Sequence, residues 1–415
     1  MFAVPYTRAG AGLCHYGRSS FKHLVTNRYL LITPQQRNTT VAYYLAFIGL
    51  GMASSIIGPT LKALAEQTHS GLDQISILFT FKSLGFLIGA FFVGRAYDRF
   101  AGHPIIVIAM IGMMIALILV PLVSWLVLLS GVIFLLGLAM GSLDVGGNTL
   151  LVWVHREKIG PYMNGLHFIW GAGGVISPLI LIGLSYFFIQ DMRWTYWLLG
   201  LYLIPILIWL ARIPSPHSPT KEEEDNQAGN QVLFVGLVSL FYFLNIGAEV
   251  SASGWIVTYA SEMGLASEGA AAFLSSLFFG TLTLTRLISI PFTARYRPSQ
   301  LIMFDLIVCS LAALFMLLFP RSWIAILIGI SGFGIGIATI FPMMLAFAQN
   351  RIALAGRVTS WFFLGGSLGG MSIPWIVGQF FERLSPLIVL YAILICTIGS
   401  AVVFGILKVG WERKV

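Results

Sequence analysis

Charged side chains inside long apolar runs come first, because each costs a few kcal/mol at bilayer depth unless a partner or a water-filled cavity receives it. Lys82, Asp144, Glu249 and Arg286 stand in such runs, with His167 as a titratable addition and Asp305 near the end of a run. Asp144 lies in Gly141-Ser-Leu-Asp-Val-Gly-Gly-Asn148, roughly 16 Å of helix from the charged loop His155-Arg-Glu-Lys158, hence near mid-membrane. Asn148, four residues on, shares its face. A carboxylate beside an amide can bind a proton or a sodium ion together with a sugar hydroxyl; a structural pair with Lys82 is the alternative. Asn245, Glu249 and Ser253 step by four and line one polar face. Arg286 could neutralise Glu249, so coupling carboxylate and salt bridge stay open there. Asn164, His167 and Trp170 step by three, and Trp255, Tyr259 and Trp361 stand in the second half of the chain. Amides beside aromatic faces suit a hydroxyl-rich ring, although Tyr259 could equally anchor a helix at the membrane interface. Gly94-Arg-Ala-Tyr-Asp98-Arg99, followed by Gly102-His103, forms a loop whose carboxylate can cap a neighbouring helix or pair with arginines and so lock one side; an ordinary charged loop is the alternative.

The elements that position these residues are membrane-spanning helices. Hydrophobic residues make up 58% of the 415, charged residues only 10%, and the mean hydropathy is +0.89, which excludes a soluble domain. Twelve apolar runs between Thr40 and Leu407 are each long enough to cross roughly 30 Å of hydrocarbon. Only helices and closed barrels satisfy the backbone in lipid, and barrel strands would be shorter and alternating. The expectation is an all-α membrane protein of twelve transmembrane helices in two pseudo-symmetric six-helix bundles. Gly173-Gly174 with Pro178 matches Gly369-Gly370 with Pro374 at an offset of 196 residues. Gly137 and Gly141 match Gly332 and Gly336 at 195, Gly85 matches Gly280 at 195, and Gly49 matches Gly247 at 198. The Gly-x-x-x-Gly spacings let helices approach closely. The expected divisions are a basic extension at 1–38, bundles at 39–212 and 231–408, a linker at 213–230 rich in proline and charge, and a tail at 409–415.

Of the 24 Lys and Arg residues, 18 fall on the side of the termini, 4 on the other side and 2 within spans, which places both ends in the cytoplasm of a cell membrane. The net charge of +8 is this bias plus attraction to anionic lipid, with no fold around it that would recognise nucleic acid. Cys14, Cys309 and Cys396 are expected as free thiols. There is no Walker loop, paired Cys-x-x-Cys, His-Glu-x-x-His or nucleophile elbow, so no enzyme, cofactor, metal centre or ATP-driven pump is expected.

Gly94 to Asp98-Arg99 and Gly102 resemble the signature loop of the major facilitator superfamily. Within it, Leu143-Asp144 to Asn148 looks like the acidic-to-asparagine motif of the fucose permease group. Gly58-Pro59-Thr60, Lys82-Ser-Leu-Gly85, Gly247-Ala-Glu249 to Trp255 and Tyr259, Phe341-Pro342, and Gly366 to Pro374 look most like its sodium-dependent glucose transporter branch. The resemblance implies symport of a monosaccharide with H+ or Na+ by alternating access, with a monomer as the working unit. It assigns Asp144 to substrate and proton binding, while Ser54 and Ser55 stand where the permease has a further carboxylate. With the resemblance added, Asp144 and Glu249 are candidate coupling or substrate carboxylates. Asn148, Asn164, His167, Trp170, Asn245, Trp255 and Trp361 are candidate substrate ligands, Lys82 and Arg286 charge partners, and Gly94, Asp98 and Arg99 a cytoplasmic gate. A proton-driven exporter of amphipathic compounds and a transport-inactive sugar sensor are the rival functions.

Overall fold

The computed structural model describes residues 33–97, 100–156, 159–187, 191–216, 232–293, 295–351 and 356–411. Most of the expected extension, most of the expected linker, and Asp98 and Arg99 lie outside them. The first half contains α1 (Pro34–Ser55), α2 (Ile57–Gln67), α3 (Leu72–Ile75), α4 (Ile77–Tyr97), α5 (Gly102–Leu119), α6 (Leu126–His155), α7 (Ile159–Phe187) and α8 (Met192–Arg212). The second contains α9 (Val232–Glu262), α10 (Glu268–Thr293), α11 (Pro298–Leu318), α12 (Trp323–Ile337), α13 (Ile340–Gln349), α14 (Gly356–Phe381) and α15 (Ile388–Trp411). Chain entry is set at Thr33, whose hydroxyl accepts from the Gln36 N–H at 3.1 Å just before Pro34.

Among the described residues, ten spans are long and apolar enough to cross a membrane, with α12 and α13 forming one of them, and the bent pair α1–α2 makes an eleventh. The twelfth is α14, whose 26 residues suffice in length while Gly365, Gly366, Gly369, Gly370 and Gln379 dilute its hydropathy. The twelve-helix expectation therefore holds, with one span that hydropathy alone undervalues.

Close backbone approach follows the glycines. A Cβ on Gly137 or Gly141 would lie 2.0 or 2.1 Å from the carbonyl oxygen of Lys82 or Phe86, so α6 and α4 touch along their backbones. The equivalent Gly336 turns instead to α11, where its Cβ would meet Asp305 O at 2.8 Å, and α10 is met by Gly334. Elsewhere the repeat is kept: Gly173 packs on the Ile48 carbonyl and Gly369 on that of Phe243. Cys309 and Cys396 are buried free thiols, and Cys14 lies outside the described residues.

The two halves meet along a seam formed by α2, α3, α4 and α7 against α9, α10 and α14. Helix ends on the side opposite Pro34 and Trp411 define a far side, and there the seam is shut.

Candidate functional site

Two prolines set the geometry of the site. Pro59 lacks an N–H and crowds the carbonyl four residues back, and the first span bends by 51° where α1 gives way to α2 at Ile56. Pro342 does the same to Ala338, and α12 yields to α13 across Ala338 and Thr339. Each break leaves carbonyls without a helical donor, and an intramembrane cation takes one up. Lys82 Nζ donates to Ser54 O at 3.1 Å in the last turn of α1. Arg286 Nε donates to Ala338 O at 3.0 Å, the acceptor whose usual donor is missing at Pro342.

These contacts replace the pairs the sequence suggested, and neither cation forms a salt bridge with a described carboxylate. Asp144 is out of line with Lys82 because Gly137 packs on the Lys82 carbonyl. Seven residues farther along α6, Asp144 sits roughly 10 Å nearer the terminus side. Its neighbour there is Asn148, whose amide donates to Asp144 O at 2.8 Å and to Oδ1 at 3.4 Å. Arg286 lies 5.5 Å from the ring centre of Trp170, a cation–π contact across the seam.

A cavity of about 100 Å³ sits on the seam, lined from the first half by Ser54, Lys82 and Trp170 and from the second by Glu249 and Ser253, with Phe79 and Phe279 closing its walls. An ammonium, a carboxylate, two hydroxyls and an indole face thus converge from both bundles. Ser54 and Ser253 also donate to the carbonyls of Leu50 and Glu249, one turn back on their own helices, which leaves their oxygens as acceptors toward the cavity.

Above the cavity the far side is closed. Gly58 of α2 lies so near α9 that its Cβ would come within 2.4 Å of Ser253 O. Trp255 packs between Phe79 and Phe381, with ring centres 6.0 and 5.0 Å away, and donates its indole N–H to Pro374 O at 3.0 Å. At the rim Lys62 bridges Glu262 at 3.1 Å and Glu268 at 3.2 Å, and Glu382 accepts from the Leu72 N–H at 3.1 Å. Gln379 donates to Asp73 O at 2.7 Å. On the terminus side α4 and α14 part instead, leaving an apolar cleft of about 340 Å³ between Leu87, Phe91 and Phe92 and the facing Trp361 and Leu364. Below the far-side rim, where a shallow cavity of about 640 Å³ opens among Lys62, Glu66, Glu262 and Glu382, the halves are packed together at Gly58 and Trp255.

The remaining sequence-selected residues are spread out. His167 is half-buried on α7, one turn from Trp170, while Asn164, a turn farther toward the terminus side, is exposed. Trp361 is 54% exposed in the terminus-side cleft and Trp255 is fully buried in the far-side seal, so neither lines the cavity. Tyr259 donates to Pro320 O at 2.7 Å, which is an internal anchor. Asn245 is 1% exposed, and neither amide atom has a partner among the described residues. Gly94 faces open space. Sequence reasoning missed the far-side rim, since Lys62, Glu262, Glu268 and Glu382 stand at span ends where charges are ordinary. It also passed over Thr339, which shares a hydrogen bond with Asp305.

Comparison with known proteins supplies the frame for this geometry. The family model of the Major Facilitator Superfamily matches residues 43–374. A sodium-dependent glucose transporter 1 of Xenopus laevis is 28% identical over 389 residues, covering 86% of this chain and 79% of the relative. The crystal structure of a D-xylose-proton symporter superposes with a TM-score of 0.70 at 12% identity, over 88% of this chain and 97% of that one. That of the nucleoside transporter NupG gives 0.71 at 13% identity, over 90% and 99%. These two likenesses concern the fold.

Proposed function

The chain belongs to the Major Facilitator Superfamily, a transporter and not an enzyme, and from that premise we propose that it is a cation-coupled symporter of a monosaccharide. The observation that carries the proposal is the seam cavity, where Lys82 and Trp170 of one half face Glu249 and Ser253 of the other. Hydroxyl groups of a sugar are met by charged and hydroxylic partners, and its C–H face by the indole. At about 100 Å³, with the halves packed at Gly58 and Trp255 on its far side, the cavity is too small for a whole sugar in this conformer and would widen as the halves rock apart. Rocking of the halves about this point exposes the same residues to either face of the membrane. The sodium-dependent glucose transporter relatives support both the sugar and the cation.

In this proposal the termini lie in the cytoplasm of the cell membrane, so the conformer is inward-facing, and one polypeptide suffices. Lys82, Trp170, Glu249 and Ser253 hold the sugar. Asp144, with Asn148 behind it, carries the charge that responds to substrate or ion on the cytoplasmic side. One cation crossing 100 mV supplies about 2.3 kcal/mol, enough for roughly 50-fold accumulation. The test is uptake of radiolabelled glucose and fucose into proteoliposomes under imposed sodium or proton gradients, with Asp144→Asn beside the parent chain. Gradient-driven accumulation that the variant loses, while still exchanging sugar, is the expected result. Movement of neither sugar under either gradient, in folded protein, would sink the proposal.

A further inference from the structure

A further cavity of about 520 Å³ crosses the seam on its outer flank, between Ile77 and Phe81 of α4, Val127 of α6 and Trp375 of α14. Val127 and Trp375 are exposed, and in membrane-spanning helices that exposure is to lipid. The groove is graded along its length. Asp73 and Gln379 stand at its far-side end, while Ile77 and Trp375 lie four residues, or roughly 6 Å of helix, deeper, with Phe81 deeper still. One polar end above apolar walls is the shape of an amphipath. Both halves build it, and just below them the halves touch where Thr80 donates to Met371 O at 3.2 Å.

The polar end carries one charge of each sign, one from each half. Asp73 Oδ1 accepts the Gln74 N–H at 2.8 Å, and Oδ2 lies 3.9 Å from Arg383 Nη2, inside ion-pair reach but beyond hydrogen-bond length. The neighbouring rim charges are committed elsewhere: Glu382 accepts from the Leu72 N–H, and Lys62 bridges Glu262 and Glu268. Gln379 donates through its amide nitrogen to Asp73 O at 2.7 Å and Ser76 Oγ at 3.3 Å, which turns its oxygen into an acceptor. A carboxylate beside a guanidinium, loosely paired at the mouth of an apolar groove, complements a zwitterion joined to a hydrocarbon chain. We infer that the groove binds a phospholipid with a primary ammonium headgroup, its phosphate on Arg383, its ammonium on Asp73 and its acyl chain along Ile77, Phe81 and Trp375. A quaternary ammonium has no N–H to donate to Asp73, and an anionic headgroup would set like charges together. Because the lipid touches both halves where they are packed on the far side, its binding favours that state. The inference goes beyond the symport proposal and uses only the rocking of the halves.

The experiment is lipid retention by the purified full chain, read by native mass spectrometry from detergent containing phosphatidylethanolamine, phosphatidylcholine and phosphatidylglycerol with matched chains. The parent protein is expected to keep one phosphatidylethanolamine in preference to the other two. Asp73→Asn should erase that preference, lowering phosphatidylethanolamine retention about threefold, as for an ion pair screened at an interface, with phosphatidylcholine unchanged. Trp375→Ala should weaken all three lipids alike through lost chain contact, and melting curves would show that each variant is folded. Spin labels at Glu66 and Leu384, in a cysteine-free background, should report shorter distances in phosphatidylethanolamine nanodiscs than in phosphatidylcholine for the parent and not for Asp73→Asn. Equal retention of the three lipids by folded parent protein, which is annular lipid only, would overturn the site, as would a preference for phosphatidylglycerol or an unaltered preference in folded Asp73→Asn. Preference without a distance shift would overturn the hold on the seam. Neither readout involves sugar, so absence of uptake under every gradient would refute the symport proposal and leave the lipid site standing.

Discussion

Replacing Gly58 by Val should hold the carrier open on its far side. The Cβ of a side chain at 58 would meet Ser253 O at 2.4 Å and Gly254 Cα and O at 3.2 Å, and all three atoms belong to the other half. The added bulk therefore strains the seam and not the bundle that carries it. Overpacking of this kind costs about 1–3 kcal/mol, and since only the far-side-closed state suffers it, the closed-to-open ratio should fall roughly five- to 150-fold. Spin labels at Glu66 and Leu384, on opposite halves of the far side, read this ratio as a distance distribution in a background freed of its three cysteines. The distribution should move to longer distances, and net uptake should drop while the melting temperature stays near that of the parent. An unchanged distribution with normal uptake would mean that this glycine contact is not what closes the far side.

Lys62→Met removes two bridges of partly exposed groups, together about 0.5–2 kcal/mol after solvent screening. The same labels should report a smaller shift that high salt reproduces in the parent. Trp255→Ala empties a fully buried site in the seal and should lower stability by about 3–5 kcal/mol, seen as a clear fall in melting temperature. Trp361→Ala, by contrast, should leave sugar affinity within about twofold, because the indole is exposed away from the cavity; a tenfold loss in equilibrium binding would return it to the site. Arg286→Met leaves the Ala338 carbonyl without its donor, a cost of about 1–3 kcal/mol, and an unchanged melting temperature would contradict the capping role.

Spans and repeat were legible because lipid imposes a length and a composition on every helix, and that requirement is written locally. The run of α14 reads as a span too, although its hydropathy is diluted by glycines that serve packing on Phe243 and Ser239. The convergence of Lys82, Trp170 and Glu249 is a different matter, as it depends on the registration of three helices with no spacing in common. Lys82 and Asp144 illustrate why: both stand deep in apolar runs, yet the Gly137 contact fixes α4 against α6 with the two residues offset by roughly 10 Å along the helix axis. The proline breaks could have been foreseen at Pro59 and Pro342, but which cation would reach the freed carbonyls could not.

The capped breaks also bear on how an ion gradient could drive the cycle. Lys82 and Arg286 are held by backbone carbonyls near Glu249, and neither bridges Asp144 or Asp305, which keep their charge requirement within the spans. Desolvating a carboxylate costs several kcal/mol unless a partner neutralises it. Closing the terminus side over these residues is therefore slow while they are uncompensated and easier once a cation and a hydroxylated substrate have supplied charge and hydrogen bonds. A salt bridge to Lys82 or Arg286 would remove that penalty and let the empty carrier close in either state. By placing both cations on helix breaks that the prolines create, the fold leaves Asp144 and Asp305 dependent on what the carrier binds, and in the symport proposal this dependence is what would couple the cycle to an ion.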